Sequence, residues 1–298
     1  MGLGDAATVA AYKFGSQVAR RLPSPAASVA GRAIGLGLAG TDAERRRVVE
    51  ANLRRISGGT LSGWDLRRAI QRAFDSYARY WVEAFRLPEL TPAALDRGLT
   101  YEGLEHIDAA RAAGRGSIMA LPHLGGWEFG GAWLSTHGYP ITVVVEPLEP
   151  AALFEWFVEF RERLGMTVVP LGAEAGSAVL RALRANELVG LLCDRDIAGG
   201  GIDVEFFGER TTLPAGPVTV ALRSGAPILP TAVYFNGAGQ HHGVVRPPLD
   251  TTRRGSLRED IARLTQVLAH ELEILIAAAP EQWHVFQPNW PSDRVPAS

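Results

Sequence analysis

SIMALPHLGGWE, residues 117–128, decides how the chain is read. Ser117 to Leu121 has the character of a short buried strand. It runs directly into Pro122 and His123, then Gly125 and Gly126, and then Trp127 and Glu128, which can open a helix. Strand, glycine turn and helix together make one unit of a parallel sheet, and in open sheets of that kind ligands gather beyond the carboxyl ends of the strands.

Outward from this stretch the same alternation repeats. Strands are expected at 117–121, 141–145, 167–169, 188–192 and 227–235, with helices near 127–134, 151–164, 177–184 and 217–224 between them. A last long helix is expected from Ser256 to Ala278, stopping before Pro280. The first hundred residues read as helices broken at Pro23, Pro25, Gly58, Gly59 and Gly63, strongest from Leu66 to Phe85, with no convincing strand. The expected fold class is α/β, a central largely parallel sheet flanked by helices, with a helical N-terminal region. One domain is expected over 1–298, mainly helical over 1–100 and carrying the catalytic α/β part over 101–298.

Hydrophobic residues at 47% and charged residues at 21% suit a chain that buries a core. The 30 basic and 32 acidic residues nearly cancel, which argues against nucleic acid as a partner. Cys193 is the single cysteine, so no internal disulfide is possible, and its apolar surroundings favour packing over nucleophilic chemistry. No run approaches about 18 apolar residues and no secretory-signal order is present, so neither a membrane span nor export by that route is expected. Asp5 to Arg21 reads as an amphipathic helix, with Ala6, Val9, Ala10, Phe14 and Val18 apolar and Lys13, Arg20 and Arg21 basic. Such a helix can lie in a membrane interface or pack on the rest of the protein.

Several familiar signals lead nowhere. Gly35, Gly37 and Gly40 spell a dinucleotide-binding string, but without the strand and helix that it needs, and close helix packing is the better reading. No serine stands in a G-x-S-x-G frame, and no H-E-x-x-H or Cys/His cluster implies a metal. His241 and His242, beside Asn236, Gly237 and Gly239, read as an exposed hairpin turn.

The chemistry concentrates at His123. An imidazole of ordinary basicity can take a hydroxyl proton as that oxygen attacks, and a carboxylate on its other nitrogen fixes the tautomer. Gly125 and Gly126 leave room for backbone N–H groups to face a developing oxyanion. Two acids compete to hold the ring. Glu128 lies five residues on, about 140° away on an unbroken helix, so only a break at the glycines would bring it to His123. Asp194 follows the 188–192 strand, which can lie beside the strand that carries His123, and is slightly favoured.

His123 to Glu128 also resembles the H-x-x-x-x-D/E signature of the glycerolipid and lysophospholipid acyltransferase superfamily. Further likenesses fall in the order shown by its late lipid A acyltransferase branch: FRERLG at 160–165, CDRD at 193–196, VEFFGE at 204–209, LPAGP at 213–217, GAP at 225–227 and PEQWH at 280–284. SYARYWVEAFRLP, residues 76–88, narrows the likeness to the phosphatidylinositol mannoside acyltransferases of actinobacteria. The resemblance covers roughly residues 66 to 290. It implies direct transfer of a palmitoyl-type chain from acyl-CoA to a mannose hydroxyl of a phosphatidylinositol mannoside, at the cytoplasmic face of the plasma membrane, by a peripheral protein with a membrane-facing helical region. Acyl-CoA is then a co-substrate and no cofactor is implied. Another glycolipid or lysophospholipid acceptor, or lipid binding without turnover, remains open.

The same resemblance makes His123, Glu128 and Asp194 the catalytic candidates. It offers Glu146, Arg161, Arg195, Asp196, Gly200, Phe206, Phe207, Gly208, Glu209, Arg210, Gly216, Arg223 and His284 as substrate or acyl-CoA contacts. Arginine suits an anionic headgroup or the donor's phosphates, though a structural ion pair is the alternative. Phe206 and Phe207 line an acyl channel or belong to the core.

Overall fold

A computed structural model describes residues 3–294; residues 1, 2 and 295–298 of the expected domain lie outside the described residues. The N-terminal region is helical: α1 (Leu3–Arg21), α2 (Ser24–Thr41), α3 (Ala43–Ile56), α4 (Gly63–Arg86) and α5 (Pro92–Gly98). Then β1 (Leu99–Glu102), α6 (Leu104–Ala112), β2 (Ser117–Leu121), α7 (Trp127–Thr136), β3 (Ile141–Val145), α8 (Ala151–Arg163), β4 (Thr167–Pro170), α9 (Ala175–Arg184) and β5 (Leu188–Leu192) alternate. The chain closes with β6 (Ile202–Phe206), β7 (Glu209–Leu213), α10 (Gly216–Ser224), β8 (Ile228–Phe235), β9 (His241–Val245) and α11 (Leu257–Ala277).

Leu66, Ala69, Ile70, Ala73 and Phe74 recur at helical spacing and bury one face of α4. Gly35 of α2 meets α4 so closely that a Cβ there would lie 3.0 Å from the Asp75 Cα, which explains the glycine as helix packing. On α1 the stripe turned inward is Val9, Ser16 and Ala19 with half-buried Tyr12, whose ring meets Trp81 and Phe157 edge-on. Phe14 and Val18 therefore face away from the protein, and Phe14 is 72% exposed. α2 likewise leaves Val29, Ile34 and Leu36 exposed. No helix among the described residues is long and apolar enough to cross a membrane.

The seven-stranded sheet has the order β1-β9-β8-β2-β5-β3-β4, parallel throughout except for the β8–β9 pair. β2 lies at its middle, with β5 beside it in register, Leu121 opposite Leu192. His123 and Asp194 each stand two residues beyond those paired ends, so the pairing itself sets them side by side.

Three expectations need correction. No strand was expected around the VEFFGE stretch, yet β6 and β7 form a separate antiparallel hairpin there. Its turn residues Phe207 and Gly208 both have positive φ, 51° and 73°, the geometry that matches the natural twist of a hairpin. His241 and His242 begin β9 after the turn has ended, and His241 is buried, stacked on Phe129 at 3.9 Å with Nε2 2.9 Å from Glu83. Burial alone would push the Glu83 carboxyl up, but His241 and Arg79 hold it below its usual range. A short strand, β1, also pairs with β9 at the sheet edge.

Candidate active site

The loop from β2 into α7 is pinned from three sides. Gly125 N–H donates to the Gln282 carbonyl (2.9 Å), Gly126 N–H donates to the Val233 carbonyl (2.8 Å), and His284 N–H donates to the His123 carbonyl (2.7 Å). At Gly125, with φ of 61°, a Cβ would stand 2.1 Å from the Val233 oxygen, so only glycine fits. Because both glycine N–H groups are taken, they are not oxyanion donors, contrary to the expectation from their spacing.

His123 Nδ1 lies 2.6 Å from Asp194 Oδ1. An ionised carboxylate only accepts, so Nδ1 carries the proton and Nε2 keeps its lone pair. Asp194 is fully buried, and its Oδ2 also accepts from His123 N–H (2.8 Å) and Trp283 Nε1 (2.7 Å). Burial would raise its pKa, but His123 and these donors outweigh burial and hold the carboxyl below its ordinary range.

Glu128 does not touch His123. It sits in the first turn of α7, is buried, and accepts from Arg161 Nε (3.0 Å), Arg161 Nη2 (2.5 Å) and Tyr80 Oη (3.3 Å). Burial works against the Arg161 guanidinium, yet Glu128 keeps its pKa raised, and burial first and then Glu128 push the Tyr80 phenol well up. The Arg161 charge is thus met within the protein.

Around His123 opens a cleft of about 510 Å³, lined by Tyr77, Tyr80 and Trp81 of α4 and by Glu146, Arg161, Arg195, Asp196, Gly216 and His284. Tyr77, Tyr80 and Trp81 escaped the sequence reading, although aromatic residues at i, i+3 and i+4 were a legible stripe. His284 is buried, its Nε2 2.9 Å from Ser76 Oγ, and burial drives its pKa down to about 3, so it stays neutral. Glu146, Arg195 and Asp196 also border a polar recess of about 270 Å³ with Asn289 and Arg294. Asp196 Oδ2 accepts from Gly201 N–H (2.8 Å) and Thr212 Oγ1 (3.2 Å), which ties the connection between β5 and β6 to β7.

The other candidates are not brought to the cleft. Phe206 is wholly buried, stacked on Trp290 at 5.7 Å, and Phe207 and Gly208 form the hairpin turn. Glu209 pairs with Arg55 at 2.6 Å, Arg210 and Arg223 are exposed on β7 and α10, and Gly200 is an exposed loop residue outside the lining.

A second, largely apolar space adjoins the cleft between the sheet and α7. It measures about 90 Å³ and its walls include Val143, Val145, Leu192, Leu134, Ile141 and Met166. Cys193, the remaining nucleophile near His123, is buried, and burial followed by Asp194 pushes its thiol far up, so it is inert.

The sequence profile of the family described as bacterial lipid A biosynthesis acyltransferase matches residues 5–292, nearly the whole chain. The chain belongs to that family. It is 42% identical over 226 residues to the phosphatidylinositol mannoside acyltransferase of Mycobacterium tuberculosis strain H37Rv, covering 74% of this chain and 70% of the relative. To the enzyme of the same name from Mycolicibacterium smegmatis it is 40% identical over 227 residues, 75% of this chain and 73% of the relative. A lipid A biosynthesis acyltransferase of Haemophilus influenzae is 29% identical over 197 residues, 63% of this chain and 58% of the relative. The protein is an acyltransferase.

Proposed function

We propose that this acyltransferase moves a long, palmitoyl-type acyl group from acyl-CoA to a mannose hydroxyl of a phosphatidylinositol mannoside, working as a peripheral protein at the cytoplasmic face of the plasma membrane. The observation that carries the reading is the buried Asp194 on Nδ1 of His123, with Nε2 left basic beside a cleft part aromatic and part charged. The relatives' names supply the acceptor class.

In this mechanism His123 Nε2 takes the proton of the acceptor hydroxyl while its oxygen attacks the thioester carbonyl. The tetrahedral adduct then collapses with cleavage of the carbon–sulfur bond, and the departing CoA thiolate takes the proton back from the imidazolium. A thioester is already activated, so a base suffices and no protein nucleophile is needed. The acyl chain enters the apolar space, and Arg195 with Arg294 faces the donor's phosphates or the acceptor's phosphoinositol across the polar recess.

The deciding experiment supplies labelled palmitoyl-CoA, or palmitoyl-acyl-carrier protein, with separate acceptors: phosphatidylinositol mannoside, lysophospholipid, glycerol phosphate and a lipid A-like sugar. Acylated phosphatidylinositol mannoside as the main product supports the reading; preferential acylation of any other acceptor overturns its acceptor half.

The outward stripe Phe14 and Val18 on α1, with the exposed Val29, Ile34 and Leu36 on α2, supports the membrane half. Phe14→Glu with Val18→Glu is expected to cut co-sedimentation with anionic vesicles several-fold without lowering the melting temperature, because neither side chain is buried. Binding by the parent should also weaken as salt rises. Unchanged sedimentation of the double variant would move the membrane contact elsewhere.

A further inference from the structure

Asp194 stands in the connection between β5 and β6, two residues past the last pair that β5 makes with β2. On the strand side Cys193 N–H donates to the Leu121 carbonyl (2.8 Å), which extends that pairing by one step. Beyond it the backbone leaves the sheet, and no strand or helix holds residues 193–201. The next main-chain restraint comes from far along the sequence, where Asn289 Nδ2 donates to the Asp194 carbonyl at 3.0 Å across 95 residues. A carbonyl only accepts, so the amide nitrogen is the atom that faces it.

Asn289 is itself held on both sides. Its N–H donates to Asp293 Oδ2 (3.0 Å), its carbonyl accepts from Thr211 Oγ1 of β7, and the following Trp290 N–H donates to the same Asp293 oxygen (3.1 Å). The Asp293 side chain is buried, and its Oδ1 accepts from Arg55 Nη2 of α3 (2.6 Å). Trp290 is wholly buried, with Nε1 donating to the Phe206 carbonyl (3.2 Å) and the Arg55 guanidinium 4.3 Å from its ring centre. The segment 289–293 is thus a bracket fastened to α3 and to the β6–β7 hairpin, and its free arm is the amide that meets Asp194. The base depends on that arm, because Asp194 Oδ1 must stay 2.6 Å from Nδ1 of His123 to keep the ring proton there.

We infer that Asn289 is a positioning residue for the His123–Asp194 pair: its side-chain amide fixes the Asp194 backbone, and the Arg55–Asp293 ion pair fixes Asn289. The inference rests on the acyl-transfer reading of His123 as the base, and it adds a residue that acts through Asp194. Asn289 also borders the polar recess with Arg195 and Arg294, so direct contact with the donor's phosphates is the rival role. The two separate in kinetics, since a misplaced base lowers kcat, whereas a lost phosphate contact raises KM for acyl-CoA.

The test uses the full chain with Asn289→Ala and Asn289→Asp. Asn289 is half-buried, so truncation should leave the protein folded, and melting curves check this. The aspartate keeps the shape of the side chain and loses the donor. Both variants are expected to lower kcat by about ten- to a hundredfold, the scale of a displaced reacting group, with KM for palmitoyl-CoA within about twofold of the parent. In an Asp194→Asn background Asn289→Ala should cost no more than about twofold, because the pair it serves is already broken. A readout free of turnover is the nitrogen spectrum of the protein labelled in its histidine rings, at alkaline pH where the ring is neutral. His123 should show the Nδ1–H tautomer in the parent and a mixture of tautomers in Asn289→Ala. A raised KM at unchanged kcat, a parent-like kcat for Asn289→Asp, or equal losses in the two backgrounds would each overturn the inference. A changed His123 tautomer with no transfer by the parent to any acceptor would uphold the positioning role and overturn the proposed reaction, so the two failures are distinct.

Discussion

His123→Ala is expected to lower the transfer rate by about 10² to 10⁴ while leaving the protein folded, because a general base is lost and nothing nearby can replace it. His284 is the other histidine lining the cleft, but Ser76 holds its Nε2 and burial keeps it a very weak base, at a pKa of about 3. Cys193 is buried and Glu128 is spent on Arg161. The substitution leaves Asp194 with two of its donors, the His123 backbone N–H and Trp283 Nε1, so the loss of stability should be modest. His123→Asn makes a sharper control, since its amide nitrogen can stand in for Nδ1 against Asp194 and supplies no base. Rates at saturating acyl-CoA, with melting curves for both variants, check this. Turnover near that of the parent in a pure, folded His123→Asn sample would take His123 out of the mechanism.

Much of the fold could be read along the chain because β2, β3, β5 and β8 are short apolar runs with buried faces, a pattern that helices between them punctuate. The hairpin β6–β7 could not, for a local reason. Turns of its type are usually announced by Asn or Gly at the first central position, and here that place is taken by Phe207, held at positive φ while its ring packs on Phe206 and Trp283. β9 hid behind His241 and His242, which beside Asn236, Gly237 and Gly239 look like a turn by composition. Its burial alternates along the strand, and only the pairing with Glu83 and the stacking on Phe129 make a buried histidine at 241 intelligible.

The site was legible where it depended on strand order and opaque where it depended on partners from distant segments. That His123 and Asp194 end neighbouring parallel strands follows from alternating βα units. The occupation of Gly125 and Gly126 N–H by Gln282 and Val233 arises between segments more than a hundred residues apart, and no local pattern encodes it. The same holds for the partner of Glu128. The sequence reading slightly favoured Asp194 over Glu128 for the imidazole, but nothing local names Arg161 of α8, toward which α7, starting at Trp127 and leaving His123 outside the helix, turns the acid.

Asp194→Asn should cost about 10³ to 10⁴ in rate, and the reason is a tautomer rather than a lost charge alone. Two donors, the His123 backbone N–H and Trp283 Nε1, converge on Oδ2, so an asparagine must put its carbonyl oxygen there and its NH₂ against Nδ1 of His123. Nδ1 then has to accept, the ring proton moves to Nε2, and the nitrogen facing the acceptor hydroxyl is no longer a base. Glu128→Gln makes no such demand, since its task is to accept from Arg161 and Tyr80, and its rate should stay within about tenfold of the parent. Because Asp194 acts through His123, the variant carrying both His123→Ala and Asp194→Asn should be little slower than His123→Ala alone. Stability offers a second readout. The Asp194 carboxyl is held below its ordinary value of 3.8, so its ionised form stabilises the fold above that pH, and the contribution fades as pH falls through the lower folded value. The stability difference between parent and Asp194→Asn should therefore be constant near neutrality and shrink only in acid below 3.8. A rate for Asp194→Asn within a few-fold of the parent, or full additivity with His123→Ala, would show that this carboxylate does not orient the base.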